Sequence, residues 1–276
     1  MLRSEGDKLR RVVVSTPGPA YFTVTDLAAH NINERPDRTK TLEQFGTLRS
    51  TMEAFGCEVI DVPELAAHPN SVFPRDVALS TPLGFIELRM GLEARRGEEK
   101  WMAQTLEALG EPCVGAIGAP GTVEGGDVIL ADTVAFLGVS KRSNEVGVGQ
   151  LSGMLSDMGY EVRTALLDDR YMHIGGPMSV IAPNRVLCCR GVFPDGFFDG
   201  FDTVEVEPRG PSTGNVICLR ANEVLANAAE NAETIRALEE RGVVVHGLDL
   251  SEFRKGAGGP TCLILPVERN TRPRRP

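Results

Sequence analysis

The sequence predicts an α/β fold, a propeller of five ββαβ units with approximate five-fold symmetry. A helical stretch, a glycine and a short β-rich strand recur at Gly56, Gly110, Gly159 and Gly242, and each glycine stands where the C-terminus of a helix favours a left-handed residue. The glycines are 54, 49 and 83 residues apart. The widest gap has room for two units, one without a recognisable helix, which brings the total to five.

Within a unit, two strands rich in β-branched residues come before the helix. The predicted strands are residues 12–16, 77–80, 84–88, 128–130, 134–139, 178–181, 186–189, 203–206, 216–219, 223–226 and 243–246, and the predicted helices are residues 39–55, 97–109, 144–158 and 231–241. Residues 191–200 take the place of a helix in the fourth unit. A last strand, opened by Cys262, would complete the first unit and close the ring. The long polar connection of residues 17–38 has the length of a functional lid.

The composition is that of a globular protein with a small-molecule partner. The chain has 276 residues, 42% hydrophobic and 24% charged, with a net charge of −9, which argues against nucleic acid as a partner. No apolar run approaches the about 18 residues of a membrane span, and no targeting core begins the chain, so we expect a cytoplasmic protein that does not bind membranes. One catalytic domain over residues 1–268 is expected, followed by a disordered basic tail, residues 269–276.

Cysteine and histidine spacing gives no indication of a metal or another cofactor. The six cysteines show no C-x-x-C pair and the four histidines no H-E-x-x-H pattern, so structural zinc, disulfides and a catalytic metal are not expected. The sequence does not fix the oligomeric state, and a homodimer is left open.

Three glycine-rich segments at predicted strand starts hold the candidate catalytic groups. Cys262 follows a glycine run, Glu124 begins a Glu-Gly-Gly-Asp segment, and His173 precedes two glycines. In a ring of ββαβ units the starts of the first strands surround one axis, so a single cavity could collect all three. Each signal alone has a plainer interpretation: a small core cysteine, a tight turn and a hydrogen-bonded core histidine.

Together these groups suit attack on a cationic carbon. A protonated His173 would favour the Cys262 thiolate, and the carboxylates of Glu124 and Asp76 suit a planar guanidinium. The arginines at positions 95, 96 and 142 would suit a carboxylate at the other end of an arginine-like zwitterion, although Arg95 and Arg96 are also typical of surface charges.

These motifs, in this order and spacing, resemble the pentein guanidine-modifying enzymes, and within them the dimethylarginine dimethylaminohydrolases. The matching segments are residues 69–76 (PNSVFPRD), 95–98 (RRGE), 119–127 (APGTVEGGD) and 140–147 (SKRSNEVG), His173, and residues 249–262 (DLSEFRKGAGGPTC). The resemblance covers residues 12–265. It implies hydrolysis of a guanidinium C–N bond through a covalent alkylthiouronium on cysteine, which gives citrulline and an amine or ammonia without a cofactor.

The resemblance also implies a role for each matching residue. Cys262 would be the nucleophile, His173 the acid and then the base, and Glu124 the group that orients them. The implied substrate-binding residues are Asn70, Phe73, Asp76, Arg95, Arg96, Asp127 and Arg142, with Arg142 and Arg95 or Arg96 on the substrate carboxylate. Residues 17–38 resemble the lid of these enzymes.

Departures from the family pattern leave the substrate and the reaction open. Asn70 and Arg75 stand where dimethylargininases have an acidic pair, and Gly175 stands where arginine deiminases have an aspartate. Methylated arginine, arginine and other guanidino or ureido compounds therefore remain candidates. A second possible function is that of an amidinotransferase of the same fold, and a third is that of a non-catalytic ribosome-binding factor with the same ring.

Overall fold

Fifteen strands form five separate three-stranded sheets in the computed structural model, which describes residues 2–270. In chain order the strands are β1 (Leu9–Ser15), β2 (Glu58–Val62), β3 (Ala78–Ser80), β4 (Phe85–Glu87), β5 (Cys113–Ala116), β6 (Val128–Ala131), β7 (Val134–Val139), β8 (Glu161–Leu166), β9 (Met178–Ala182), β10 (Arg185–Cys189), β11 (Asp202–Val206), β12 (Val216–Arg220), β13 (Glu223–Asn227), β14 (Val244–Leu248) and β15 (Leu265–Arg269). The helices are α1 (Pro19–Thr23), α2 (Arg38–Ala54), α3 (Glu98–Ala108), α4 (Glu145–Asp157), α5 (Ala232–Glu240) and α6 (Ser251–Lys255).

Every sheet repeats one pairing scheme, which confirms the predicted five-unit propeller. The strand orders are β15-β1-β2, β3-β4-β5, β6-β7-β8, β9-β10-β11 and β12-β13-β14. The middle strand pairs antiparallel with the first strand and parallel with the third. A parallel pair needs a crossover connection, and a helix supplies it in four units.

Burial follows this scheme from the axis outward. The first strands β6 and β9 are buried at every position, as expected for strands covered on both faces. The third strands β8 and β14 are mostly partly or fully exposed. The first strands of neighbouring units, such as β6 with β9 and β9 with β12, contact one another around the axis.

The repeated glycines end their helices as predicted. Gly56, Gly110, Gly159 and Gly242 have φ of +76°, +86°, +85° and +75°. This is the left-handed region, which a glycine occupies without the steric cost that a Cβ adds.

An aromatic cluster replaces the helix of the fourth unit, in agreement with the prediction. Between β10 and β11, the chain packs Phe197, Phe198 and Phe201 around Phe136 of β7, with ring centroids 5.1, 5.5 and 5.4 Å away. The rings cover apolar surface that a helix covers in the other units.

The connection of residues 17–38 is less irregular than predicted. It contains α1, and Tyr21, Val24 and Ile32 are buried in the core that lies against the first unit. Backbone hydrogen bonds from Asn33 and Glu34 to the carbonyl of Lys255 tie it to the segment that leads to Cys262.

Two boundaries near the C-terminus need correction. Cys262 does not open the last strand; it lies on a 3-10 turn, Pro260–Leu263, and β15 begins at Leu265. The predicted tail also begins too early, because Arg269 ends β15 and its buried guanidinium donates to the carbonyls of Asp7 and Cys218, each at 2.7 Å. The rest of the predicted tail, residues 271–276, lies outside the described residues.

The N-terminal segment crosses the end of the ring at which the first strands finish, a feature that the sequence did not reveal. Leu2 donates its backbone N–H to Thr81 just after β3, and Glu5 donates to Leu130 in β6. The Glu5 side chain accepts from Arg75 at 2.6 Å. Within residues 2–270, no helix has the length and apolarity to cross a bilayer.

Candidate active site

The opposite end of the ring, where the first strands begin, holds a cavity of about 330 Å³ and, next to it, an inner pocket of about 20 Å³ that shares part of its lining. The residues that line both parts are Asn31, Arg142, Met172, His173, Ala257 and Cys262. The structure thus brings the predicted nucleophile and the predicted imidazole to one cavity. Glu124 is fully buried behind them.

Cys262 is partly exposed to the cavity because the chain before it makes a close turn against Phe73. The glycine run is needed for space: a Cβ at Gly258 would overlap the Phe73 ring, and one at Gly256 would lie 3.0 Å from it. Pro260 then starts the 3-10 turn, and Cys262 donates its N–H to the carbonyl of Gly259 at 3.2 Å.

His173 is held from two sides by carboxylates. Its Nε2 lies 2.8 Å from Oε2 of Glu124, and its Nδ1 lies 3.9 Å from Oδ1 of Asp76. Gly126 lies between them, because a Cβ there would be 2.5 Å from Nδ1 of His173 and 3.0 Å from Asp76. Burial alone would lower the pKa of His173, but Asp76, Glu124 and Asp127 outweigh it and raise this pKa to about 9.

Glu124 is ionised in spite of its burial. One carboxylate oxygen accepts the backbone N–H groups of Gly91 and Leu92, at 3.1 and 3.0 Å, and faces Arg142 at 3.5 Å. Burial would raise the pKa of this carboxyl, but the hydrogen bond and charge of His173, with the charges of Arg142 and Arg95, hold it well below its usual range. Glu124 and His173 therefore form a carboxylate–imidazolium pair near neutral pH.

Asp76 is fixed by Arg95, which lines the inner pocket and whose guanidinium is bound mainly to protein groups. Arg95 donates to Asp76 at 2.6 Å, to Glu98 at 2.9 Å and to the carbonyl of Phe73 at 2.9 Å. The second carboxylate oxygen of Asp76 accepts the N–H of Gly126 at 3.2 Å. Asp76 lines the inner pocket in this fixed orientation.

The thiol of Cys262 is protonated in the free protein. Burial and the negative charge of Asp76 raise the pKa of Cys262 to about 11, against weaker opposing effects of the Gly259 hydrogen bond and of Arg254 and Arg75. A cation bound beside Asp76 would remove one of the two main causes of this elevation.

The other predicted site residues divide into three groups. Arg142, Asn70 and Phe73 line the cavity or its inner pocket, and Asn70 exchanges hydrogen bonds of 3.0 Å with His30 of the 17–38 connection. Asp127 lies behind the cavity: it accepts from Ser140 and Ser143 at 2.6 Å each and from the N–H of Ile174 at 2.9 Å. Arg96 is exposed and lines neither part of the cavity.

Arg75 also has a position that its place in the motif did not indicate. Its guanidinium points away from the cavity, along the axis of the ring, and donates to Glu5 at 2.6 Å and to the carbonyl of Val128 at 2.8 Å. Arg75 therefore cannot select the nitrogen substituents of a bound guanidine, whereas Asn70 and Gly175, which line the inner pocket and the cavity, can contact them.

Eight cavity residues had no predicted role. Lys141, Arg254 and Thr261 lie in segments that match the family, and His30 and Asn31 lie in the lid segment. Leu92, Arg170 and Asn215 carried no signal, because each is a single residue on a connection, at no repeated spacing.

One cluster within residues 2–270 has the donor set of a metal site. Ligand atoms of Asp76, Glu124 and His173 lie within 4.8 Å of one another. These donors already face cationic partners, Arg95 and Arg142, and a hydrogen bond joins His173 to Glu124. A metal needs a neutral imidazole, whereas His173 has a raised pKa and bonds to Glu124, so the donor set fits a cationic organic substrate better than a metal. The metal-free site stays a prediction.

Comparisons with known proteins identify the family of the chain. A family model described as "N,N dimethylarginine dimethylhydrolase, eukaryotic" matches residues 24–269. N(G),N(G)-dimethylarginine dimethylaminohydrolase of Pseudomonas aeruginosa is 28% identical over 247 residues, 90% of this chain and 96% of the relative. The protein of the same name from Streptomyces coelicolor is 28% identical over 263 residues, 93% of this chain and 96% of the relative.

Solved structures show the same relationship. A cysteine-to-serine mutant of the Pseudomonas aeruginosa enzyme, complexed with citrulline, superposes with a TM-score of 0.82 at 26% identity and covers 94% of this chain and 99% of its own. An amidinotransferase from Microseira wollei reaches a TM-score of 0.82 at 17% identity, with 98% and 97% covered, and shows the shared fold alone. Because the family model spans most of the chain, the protein belongs to the N,N dimethylarginine dimethylhydrolase family.

Proposed function

We propose that the protein hydrolyses the guanidinium C–N bond of arginine or an N-methylated arginine, with Cys262 as the nucleophile. The observation that carries this proposal is the shared cavity, which Cys262 and His173 both line while Glu124 holds the imidazole at 2.8 Å. A sulfur nucleophile, an acid and two carboxylates converge on the place where a planar cation would bind.

The substrate cation would itself help to generate the thiolate. Asp76 is one cause of the raised pKa of Cys262, and a guanidinium that bonds to Asp76 would neutralise that charge. The pKa of the thiol then falls in the complex, the thiol proton passes to solvent, and the thiolate forms beside the carbon that it attacks. At the other end of the substrate, Arg142 would receive the carboxylate, since it is the arginine that lines both parts of the cavity.

The reaction then proceeds in two displacement steps. In the first, Sγ of Cys262 forms a bond to the guanidinium carbon, the C–N bond to the departing amine breaks, and protonated His173 gives its proton to that amine. In the second, neutral His173 takes a proton from water, the hydroxide oxygen bonds to the alkylthiouronium carbon, and the C–S bond breaks to return the thiolate. The remaining hydroxyl proton passes to solvent as the urea group of citrulline forms. The products are citrulline and an amine or ammonia.

Glu124 keeps His173 competent for both steps. Its charge and hydrogen bond stabilise the imidazolium that serves as the acid in the first step. The backbone donors of Gly91 and Leu92 fix the carboxylate, so the imidazole cannot rotate away from the cavity without loss of a charge-assisted bond.

The relatives support this reaction and leave the substituents on the guanidine open. The Pseudomonas aeruginosa relative is named for dimethylarginine and was solved with citrulline, the expected product. An arginine deiminase of Mycobacterium avium is also similar, with 26% identity over 295 residues, 91% of this chain and 71% of the relative. A cytoplasmic location and a homodimer stay predictions from the sequence.

The direct test is to incubate the protein separately with N(G),N(G)-dimethylarginine and with arginine, and to measure citrulline together with dimethylamine or ammonia. Citrulline from at least one substrate is expected, and none from Cys262→Ser. Cys113→Ser is the matched control, because Cys113 is an exposed thiol on β5 that does not line the cavity. No citrulline from either substrate would refute the assignment.

Added glycine or lysine distinguishes hydrolysis from amidino transfer. In an amidino transfer the first step breaks the other C–N bond, so ornithine leaves and Cys262 keeps only the amidino group. The added amine then bonds to the amidino carbon as the C–S bond breaks, and the products are ornithine and a new guanidino compound in place of citrulline. A hydrolase yields the same amount of citrulline with or without the added amine. A non-catalytic ring protein would turn over neither mixture.

A further inference from the structure

Asn215 lies at the start of the fifth unit, one residue before β12, and its side chain points into the floor of the cavity. It is 3% exposed. Its Nδ2 donates to the carbonyl of Gly175 at 2.6 Å and to Oγ1 of Thr261 at 2.7 Å, and its Oδ1 accepts the N–H of Thr261 at 3.1 Å. Both amide hydrogens are used, so the side chain has one defined orientation.

The two partners of Asn215 belong to the two segments that carry the chemistry. Gly175 follows His173 by two residues, and Thr261 immediately precedes Cys262. The fit is close on the cysteine side: a Cβ at Gly259 would lie 2.7 Å from Oδ1 of Asn215. The glycine before Pro260 therefore makes room for this amide.

The hydrogen bonds continue from Asn215 around the ring. Gly175 donates its N–H to the carbonyl of Gly126 at 3.0 Å, and Gly126 donates its N–H to Asp76 at 3.2 Å. Asp76, Gly126, Gly175 and Asn215 stand before the first strands of the second, third, fourth and fifth units, and Thr261 stands before β15, the first strand of the first unit. All five units thus contribute to one chain of bonds beneath the cavity.

From this we infer that Asn215 is a positioning residue that fixes the separation of Cys262 and His173. The inference deepens the proposed function and rests on it. The side chain joins the nucleophile turn to the histidine segment through bonds that leave the amide no other partner. A displacement of about 1 Å between reacting groups can cost about 100-fold in rate, so the loss of this link should lower kcat far more than it changes KM.

The test is a double-mutant cycle with Asn215→Ala and Thr261→Val, where valine keeps the shape of threonine without its hydroxyl. We expect Asn215→Ala to lower kcat about 10- to 100-fold and to change KM less than about three-fold. Thr261→Val should lower kcat by a few-fold, and the double variant should be no worse than Asn215→Ala within about two-fold. The concentration of active protein is determined by titration of reactive Cys262 with chloroacetamidine. Each rate is divided by this concentration, so that misfolded protein does not lower the measured kcat.

Asn227→Ala is the matched control, since Asn227 is a buried asparagine of the same unit that also bonds to backbone, at the N–H groups of Ala229 and Leu250, and lines neither part of the cavity. Its kcat per reactive thiol should stay within about two-fold of wild type even if it unfolds at a lower temperature. Equal losses in Asn215→Ala and Asn227→Ala, or additive effects in the cycle, would overturn the inference.

Asn215→Asp and an alkylation assay keep the test decisive if Asn215→Ala does not fold or if the substrate assignment fails. Asn215→Asp keeps the acceptor for Thr261 and loses the donor to Gly175, so its kcat should also fall at least about ten-fold. The rate at which chloroacetamidine alkylates Cys262 needs no turnover and should fall about ten-fold in both variants. Unchanged alkylation in both variants would reject the positioning role, whatever the wild type does with arginine derivatives.

Discussion

The two ends of the ring bury charged side chains for opposite purposes. At the end crossed by residues 2–7, Arg75 and Arg269 donate to backbone carbonyls, and Arg75 also pairs with Glu5. At the cavity end, His173 bonds to Glu124 and Asp76 bonds to Arg95, and both residues also line the inner pocket. At the closed end the charged groups face protein partners and not the cavity, whereas at the cavity end a charge that is fixed on one side only remains able to bind and react.

This difference explains why residues of one motif have separate roles. Arg75 and Asp76 are adjacent in the sequence, yet Arg75 points along the axis to Glu5 and Asp76 points to the inner pocket. Substitutions at the two ends should therefore affect different measurements: unfolding at the closed end, and turnover at the open end.

The largest effect is expected for Cys262→Ser at the cavity end. Because the hydroxyl is a far weaker nucleophile than a thiolate, citrulline formation should fall by at least about 10⁴-fold. The melting temperature should change by no more than about 2 °C, since the side chain is similar in size and partly exposed. Residual turnover above about 1% of wild type would mean that another group is the nucleophile.

At the closed end, Glu5→Ala should destabilise the fold by about 3–5 kcal/mol, because it leaves Arg75 buried without its ion-pair partner. Urea unfolding measures this loss. At a temperature where the variant is folded, kcat/KM should equal that of wild type within about three-fold. A ten-fold loss of kcat/KM in fully folded protein would contradict the separation of the two ends.

Asp76→Asn should change two properties of the cavity end in opposite directions. Citrulline formation should be lost, since the guanidinium loses its carboxylate. The pKa of Cys262, raised to about 11 by burial and by Asp76, should fall. Alkylation of Cys262 by neutral iodoacetamide at pH 8 should then become about ten-fold faster for each unit by which this pKa decreases. A slower alkylation in folded protein would show that Asp76 does not raise this pKa.

The smallest expected effect is a shift in the pH at which kcat begins to fall. His173 must carry a proton to serve as the acid, and its pKa is raised to about 9. The value of kcat should therefore stay constant as the pH rises to about this pKa and decrease at higher pH. Glu124→Gln removes one cause of the elevation and should move the fall to lower pH. A descending limb that stays in place in this variant would mean that another group controls it.

The repeated elements were predictable because they follow local rules. The left-handed glycines at positions 56, 110, 159 and 242 mark helix ends whatever the tertiary contacts are, and the missing helix of the fourth unit follows from its composition. The shared cavity of Cys262 and His173 followed once the five units were counted, because the units place the starts of their first strands together.

The direction of long side chains could not be predicted in the same way. Arg95 lines the inner pocket but bonds to Asp76 and Glu98, Asp127 bonds to two serines, and Arg96 is exposed. These outcomes depend on partners that are distant in the sequence. Asn215 was missed for a related reason: a single asparagine before a strand has the sequence signature of an ordinary turn.

The account depends most on the covalent step at Cys262, and mass spectrometry after an acid quench tests that step directly. The protein is mixed with whichever of N(G),N(G)-dimethylarginine and arginine gives citrulline, quenched during turnover and digested. We predict that the peptide containing Cys262 carries the added mass of the substrate less its departing amine, and that Glu124→Gln changes the amount of this adduct. Citrulline formation without any adduct on Cys262, in samples quenched throughout the first turnover, would contradict the central claim.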